Sequence, residues 1–389
     1  MIDIKPARRT EGVREYYFSI KNKEMARLNA ERESRGEDRI INLGIGAPNG
    51  RPPQAAIDAL CAEAQKDGVH VYQNYKGTPE LRKAFADWYV RYYGVSLDYN
   101  TQVQPLIGAK EGIFIVSMTF LNAGDKVLVP NPGYPTYSSS ARLCQATAVP
   151  YPLEESLGWQ PDFAALEKMD LSGVKMMWAN YPGMPTGAPA TPELLAKLVD
   201  FGRRHGILIV NDNPYSFVLA EKPLSILSVP GAFDCALELN SLSKAHNMSG
   251  WRIGVVAGAP EYINEVLKVK SQMDSGMFRP MQMAAVEALK QGPEWFEQLN
   301  AEYRRRRTAA GKIMDVLGAR YNPNSQGLFV WGKIGGDAVA MSDFLLQKAG
   351  VFITPGDIFG SRGKGYLRIS LCRNVPDYER AVEKIKAVL

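Results

Sequence analysis

The chain has 389 residues, 46% of them apolar and 22% charged, the proportions of an ordinary globular protein and not of a disordered or collagen-like chain. At roughly 150 residues per domain, this length implies two domains, or one large α/β domain with an appendage. The net charge of +5 comes from scattered basic residues, which argues against a phosphate-backbone binder; the one run, Arg304 to Arg307, spans a single helical turn and faces all ways, as on a solvated helix.

In chain order, the opening MIDIKPARRTEG lacks the apolar core of a secretory signal. Beyond residue 50, short β-branched runs alternate with amphipathic stretches. Strands are expected at 103–106, 126–129, 146–151, 174–178, 207–210, 236–239 and 253–257, with helices at 111–121, 135–143, 192–205 and 262–273. Continuous apolar strands separated by helices make a mostly parallel, seven-stranded sheet covered on both faces, the α/β class. The last third reads differently. Helices at 281–291 and 293–317 lead to a strand at 327–332, a helix at 341–349, a strand at 366–371 and a closing helix from Pro376. This is a smaller α+β domain. The expected division is 51–285 for the large domain and 286–389 for the small one, with 1–50 as an arm and part of the latter.

The longest apolar stretch, 113–121, is interrupted by Ser117 and Thr119 and falls short of the roughly 20 residues of a membrane span. Cys61, Cys144, Cys235 and Cys372 stand far apart, and His70, His205 and His246 add no zinc motif. A cytoplasmic protein without a metal centre is expected.

The sharpest chemistry lies in the run SLSKAHNMSGWRIG at 241–254. It follows an expected strand, so its polar residues emerge at a strand's C-terminal end, where open α/β sheets bind ligands. Lys244 sits between the hydroxyls of Ser241 and Ser243 and a downstream arginine, Arg252. That combination suits an anionic cofactor carrying an aldehyde: the amine forms a Schiff base while Ser241 and Arg252 hold a phosphate. At 105–112, PLIGAKEG is a strand running into a helix through small residues, and exposed N–H groups at a helix start favour phosphate. The GIGAPNG run at 44–50 has the wrong glycine spacing for a dinucleotide fingerprint, and prolines follow where a helix should open.

With these runs the chain resembles the fold-type I pyridoxal-phosphate enzymes, specifically the class I/II aminotransferases, from about Arg14 to the C-terminus. The resemblance implies a role for each matching residue. Lys244 becomes the cofactor-bearing lysine and proton shuttle, Ser241 and Arg252 phosphate ligands, and Gly108, Ala109 and Lys110 a phosphate cradle working mostly through backbone. Asp212, in NDNPY at 211–215, pairs with the pyridine nitrogen, and Tyr215 donates to the phenolic oxygen. On their own these two would read as a turn cap and a half-buried tyrosine. Tyr134, in NPGYP at 131–135, stacks on the ring. Arg368 grips the substrate α-carboxylate, since a guanidinium is planar and bidentate; Arg362 and Arg373 are neighbouring competitors. Gly46 approaches the same carboxylate through its backbone. Tyr72 matches the tyrosine that reaches the neighbouring subunit's phosphate, which implies a homodimer. Arg279, before Pro280, lies near the segment that crosses the dimer, and reads equally as a surface residue or as a contact to a distal carboxylate or the neighbouring phosphate.

The chain departs from the family at YPGMPTG, 181–187. Met184 takes the substrate-binding place of an asparagine, and a thioether donates nothing; Asn180 reads as a strand-end residue and not as a substitute. The branch resembled contains aspartate, alanine, methionine and LL-diaminopimelate aminotransferases, so transfer from aspartate or a related L-amino acid to a 2-oxo acid such as 2-oxoglutarate is expected. A C–S β-lyase on the same scaffold is the alternative. A cofactor-sensing transcription regulator would need a DNA-binding domain ahead of Gly44, where some forty residues leave no room.

Overall fold

The computed structural model describes residues 4–11, 13 and 15–389; Arg14, the expected start of the family resemblance, lies outside them. A short β1 (Ile41–Asn42) precedes the main sheet, built from β2 (Val103–Leu106), β3 (Lys126–Asn131), β4 (Thr147–Pro152), β5 (Val174–Ala179), β6 (Leu208–Asp212), β7 (Ala236–Ser241) and β8 (Gly254–Gly258). Their order is β2-β8-β7-β6-β5-β3-β4, and neighbours are parallel except that β8 runs antiparallel to β2 and β7. Helices bury both faces of this sheet, which is why its strands read as continuous apolar runs.

The helix Pro192–His205 shows how the covers are made. Thr191 accepts from the Leu194 N–H at its start, Pro192 opens it, and Gly206 ends it at φ +63°. Leu194, Leu195, Leu198 and Phe201 face the core. The following strand, β6, runs to Asp212 and not to 210 as expected. Its last polar residues stay in the sheet because each finds a side-chain partner: Asn211 donates to Glu238, and Asp212 accepts from Tyr137.

The last third supplies β9 (Arg320–Tyr321), β10 (Phe329–Lys333), β11 (Val351–Phe352), β12 (Thr354–Pro355) and β13 (Tyr366–Ser370). Four form an antiparallel sheet in the order β12-β13-β10-β9, and β1 pairs in parallel with β11. That pairing ties the N-terminal segment to the last third. One arginine of the 304–307 run departs from the solvated-helix expectation. Arg306 is buried, and its guanidinium bonds Glu302, Asn49, Asn374 and the Leu371 carbonyl. Among the described residues no helix is long and apolar enough to cross a membrane.

His246 lies wholly inside the core, with ring centroids 5.5 Å from Phe296 and 6.5 Å from Trp88 and Trp295. Neither ring nitrogen has a partner, and burial pushes its pKa from 6.5 down to about 3. The unfolded chain therefore takes up a proton at this residue below pH 6.5, while the fold resists doing so until about pH 3. Stability from His246 is present above pH 6.5 and lost as the pH falls. Between pH 7 and 5 the loss is about 2 kcal/mol. Urea unfolding of His246→Phe should show an acid dependence shallower by about that amount; identical slopes for both proteins would rule out the histidine as its source.

Candidate active site

The C-terminal ends of the parallel strands, β10 and β13 of the second sheet, and residues 16–22 enclose a cavity of about 460 Å³. Gly46, Ala109, Lys110, Tyr134, Met184, Asp212, Tyr215, Ser241, Ser243, Lys244, Arg252 and Arg368 all line it. Twelve positions scattered over the sequence thus converge on one space.

Lys244 sits in the single helical turn Leu242–Ala245 after β7, capped by Ser241, whose hydroxyl accepts from the Ser243 N–H at 2.9 Å. Its Nζ donates to the Gly46 carbonyl at 2.6 Å. Burial, above all, holds its pKa below the usual lysine value; Arg252 and Arg368 push the same way, while Cys372 and Asp212 oppose them. A lysine so placed is more often a neutral nucleophile than one in water.

Arg252 follows in left-handed backbone at φ +56°, a conformation that costs energy outside glycine and clusters at functional sites. That twist lays the guanidinium against Gly108. A Cβ at Gly108, itself at φ +83°, would run into the arginine, so glycine is required there. Gly108 thus borders the site without lining it. The helix Ala109–Phe120 begins at this point, with Glu111 folded back to accept from the Ile107 N–H. Amide N–H groups, a cation and hydroxyls converge as a phosphate requires. The Lys110 side chain goes further than a backbone cradle: its Nζ lies 4.3 Å above the ring of Tyr16, inside the cavity.

Asp212 closes β6. Its Oδ2 accepts from the Tyr137 hydroxyl at 2.8 Å, while the buried Oδ1 has no partner. Burial raises its pKa to about 6, against the pull of Tyr137 and Lys244. A buried carboxylate oxygen left open in a cavity calls for a donor, and a protonated pyridine nitrogen is one. Together with the phosphate cradle and the buried amine, it fits pyridoxal phosphate. Tyr215 and Tyr134 stand on adjoining walls, Tyr134 packing edge-on to Tyr137 at 5.7 Å.

Arg368 projects from β13 with its Nη2 donating to the Gly44 carbonyl at 2.7 Å and its Nη1 3.4 Å from the Met184 sulfur. Its Nε has no partner. Phe329, Phe359 and Phe18 surround the guanidinium, with ring centroids at 4.0, 4.6 and 5.4 Å, and burial pushes its pKa down to about 10. No carboxylate is among these partners, so the arginine is poised for an incoming one. The competing arginines lie elsewhere: Arg362 pairs with Glu154, and Arg373 donates to the Asn42 carbonyl. Both polar atoms of the Asn180 amide are engaged, donating to the Asp212 carbonyl at 2.6 Å and accepting from the Met184 N–H at 2.8 Å.

Two expected site residues stay outside the cavity. Tyr72 is 89% exposed. Arg279 bonds Glu63 at 2.8 Å and lies 3.6 Å from Glu80. Four lining aromatic residues escape the sequence reading: Tyr16, Phe18, Tyr137 and Phe329. Tyr137 stands in the first turn of the helix Pro135–Leu143, which Tyr134 caps, a usable signal; Tyr16 and Phe18 stand at the start of a helix, Tyr17–Ser34, with no marked apolar face.

The family model for aminotransferase class I and II matches residues 38–385. An LL-diaminopimelate aminotransferase of Desulforudis audaxviator is 38% identical, covering 98% of this chain and 97% of its own length. The Aquifex aeolicus protein of that name is also 38% identical, with 93% and 95% covered. Among solved structures, substrate-bound BacF from Bacillus subtilis aligns with TM-score 0.92 at 33% identity, covering 99% of this chain and 98% of that one. A single mutant of Thermus thermophilus aspartate aminotransferase aligns with TM-score 0.90 at 27% identity over all of both chains.

Proposed function

Because the chain belongs to the class I and II aminotransferases, and is therefore a pyridoxal-phosphate-dependent transaminase, we propose that it moves the amino group of an L-amino acid that carries a second, distal carboxylate, aspartate or LL-diaminopimelate, to a 2-oxo acid such as 2-oxoglutarate. The observation that carries this reading is the pair of cations in one cavity. Arg368, buried without a carboxylate, suits the α-carboxylate; Lys110, held over Tyr16, suits a second, distal one.

When bound, the cofactor supplies an aldehyde for the amino group and a ring that accepts the electrons left by the broken Cα–H bond. The residues do the rest. Lys244 Nζ moves the proton at the substrate Cα. Asp212 Oδ1 holds the proton on the ring nitrogen. Ser241, Arg252 and the Ala109–Phe120 helix start hold the phosphate, and Phe18 and Tyr16 help shield the site from water. In this reading residues 51–285 form the cofactor-binding domain, 286–389 with part of 1–50 the small one, and the enzyme is cytoplasmic. It acts as a homodimer in which Tyr72 reaches the partner's phosphate; exposed Val71, Tyr75 and Phe278 beside Tyr72 and Arg279 supply an apolar face for such a contact.

A donor screen with 2-oxoglutarate tests the substrate class. Diacid donors and LL-diaminopimelate should outrun alanine and phenylalanine, and the reverse order would overturn it. Met184 offers a separate prediction. An asparagine there would accept from Arg368 and donate to the cofactor's phenolic oxygen, easing the charge with which that oxygen holds its shared proton. Met184→Asn should therefore bind simple dicarboxylate inhibitors more tightly and lower the pKa seen in a pH titration of the visible absorbance, each unit being about 1.4 kcal/mol. An unchanged or raised pKa would mean that another donor already serves.

A further inference from the structure

Asp212 stands between two asparagines, and strand alternation turns Asn211 to the face of the sheet opposite Asp212. There it meets Glu238, its direct partner on β7. Glu238 has no exposed surface. Its Oε1 accepts from the Tyr89 hydroxyl at 3.1 Å and the Ser225 hydroxyl at 2.8 Å; its Oε2 accepts from the Ile226 N–H at 3.0 Å and the Asn211 amide at 3.2 Å. None of these donors is a cation. An acid buried this deeply is costly in a strand where an apolar side chain would pack, and four donors are what let it persist.

The arrangement leads to the site. Asn211 spends its amide N–H on Glu238 and accepts the Tyr181 N–H at 3.3 Å on its carbonyl, just beyond Ala179↔Asn211, where the β5–β6 pairing ends. Asn180, next to Tyr181, donates to the Asp212 carbonyl at 2.6 Å. The ends of β5 and β6 are thus locked together by side chains where their backbone ladder stops, while the β6–β7 ladder runs on to Asp212↔Leu239 and Glu238 adds its side-chain tie to Asn211 just before that end. We propose that Glu238 is a positioning residue: through Asn211 it fixes the end of β6, and so aims the open Oδ1 of Asp212 into the cofactor cavity. The proposal rests on the reading that Asp212 meets the cofactor's ring nitrogen.

Glutamine and alanine at 238 separate the tie from the charge. In Glu238→Gln the new NH2 can face Tyr89 and Ser225, whose hydroxyls can turn to accept, while the remaining oxygen keeps the two N–H donors that cannot turn. Glu238→Ala and Asn211→Ala both cut the tie. The readout is the nitrogen NMR signal of enzyme reconstituted with pyridoxal phosphate labelled at the ring nitrogen, which reports protonation there, alongside cofactor affinity and turnover.

Wild type and Glu238→Gln should show the same protonated signal. In Glu238→Ala and Asn211→Ala the signal should shift toward the unprotonated ring. Cofactor affinity should fall about tenfold, as for loss of one charge-assisted hydrogen bond, and turnover on the order of a hundredfold, the effect of an ångström of misplacement. Tyr89→Phe, which leaves the Asn211 tie intact, should keep the wild-type signal even if it unfolds at lower temperature. If Glu238→Ala does not fold, Asn211→Ala decides alone, since it leaves three donors on the glutamate. A signal lost in Asp212→Asn but unchanged in both alanine variants overturns the proposal and leaves the reading of Asp212 standing. A wild-type signal in Asp212→Asn overturns both.

Discussion

Lys244→Ala should lose turnover by on the order of 10⁴-fold or more, since it removes the nucleophile and the group that moves the Cα proton together. The geometry makes the loss specific. Lys244 Nζ is held 2.6 Å from the Gly46 carbonyl and is buried, which above all keeps it short of its usual basicity, with Arg252 and Arg368 pushing the same way. The other basic side chain lining the cavity apart from the arginines, Lys110, sits over Tyr16. Purified wild-type protein should absorb in the visible, and borohydride should fix the label on Lys244. The variant should bind cofactor more loosely and carry no label there. Substantial activity in Lys244→Ala, or label on another lysine, would sink the assignment.

Much of this was legible before any coordinates because the main sheet is buried on both faces. The apolar runs leading to Asp212 and Ser241 announce strands, and the residues just past such runs are the ones a sheet of this kind presents to ligands. What stayed hidden depends on contacts distant in sequence. Nothing near Glu238 says that Asn211, Tyr89 and Ser225 will meet it, and a glutamate in an apolar strand reads as an irregularity. Arg306 looked like one of four solvated arginines until Asn49 and Asn374 closed around it. Arg368 could not be told from Arg362 and Arg373 by composition; its place on β13, with Phe329 facing it from β10, separates them. The two residues of β1 pair with β11 some three hundred positions away, too short a strand to leave a periodic trace.

Asp212→Asn should slow the chemistry by roughly a hundredfold or more while making the cofactor-free protein more stable, and the two effects have one cause. This carboxylate is buried, bonded on Oδ2 by Tyr137 with no protein partner on Oδ1, and burial raises its pKa from 3.8 to about 6. The sign follows directly. Between those values the unfolded chain has released the proton that the fold still keeps, so stability falls as the pH rises through the interval and stays low above it. A shift of two units corresponds to about 3 kcal/mol at neutral pH. Asparagine keeps an acceptor for Tyr137 and carries no charge, so it escapes that penalty. Thermal unfolding of the two cofactor-free proteins should therefore converge near pH 4 and separate by pH 7, the variant unfolding at the higher temperature. Cofactor should reverse the order, because a protonated ring nitrogen gives the carboxylate the partner it lacks, whereas asparagine neither needs nor holds that charge. Turnover falls with the same lost pairing, since an unprotonated ring is a weaker electron sink. A variant that transaminates at the wild-type rate would show that Asp212 does not face the ring nitrogen. Slowed turnover without the gain in cofactor-free stability would show that Tyr137 and the cavity already accommodate the charge.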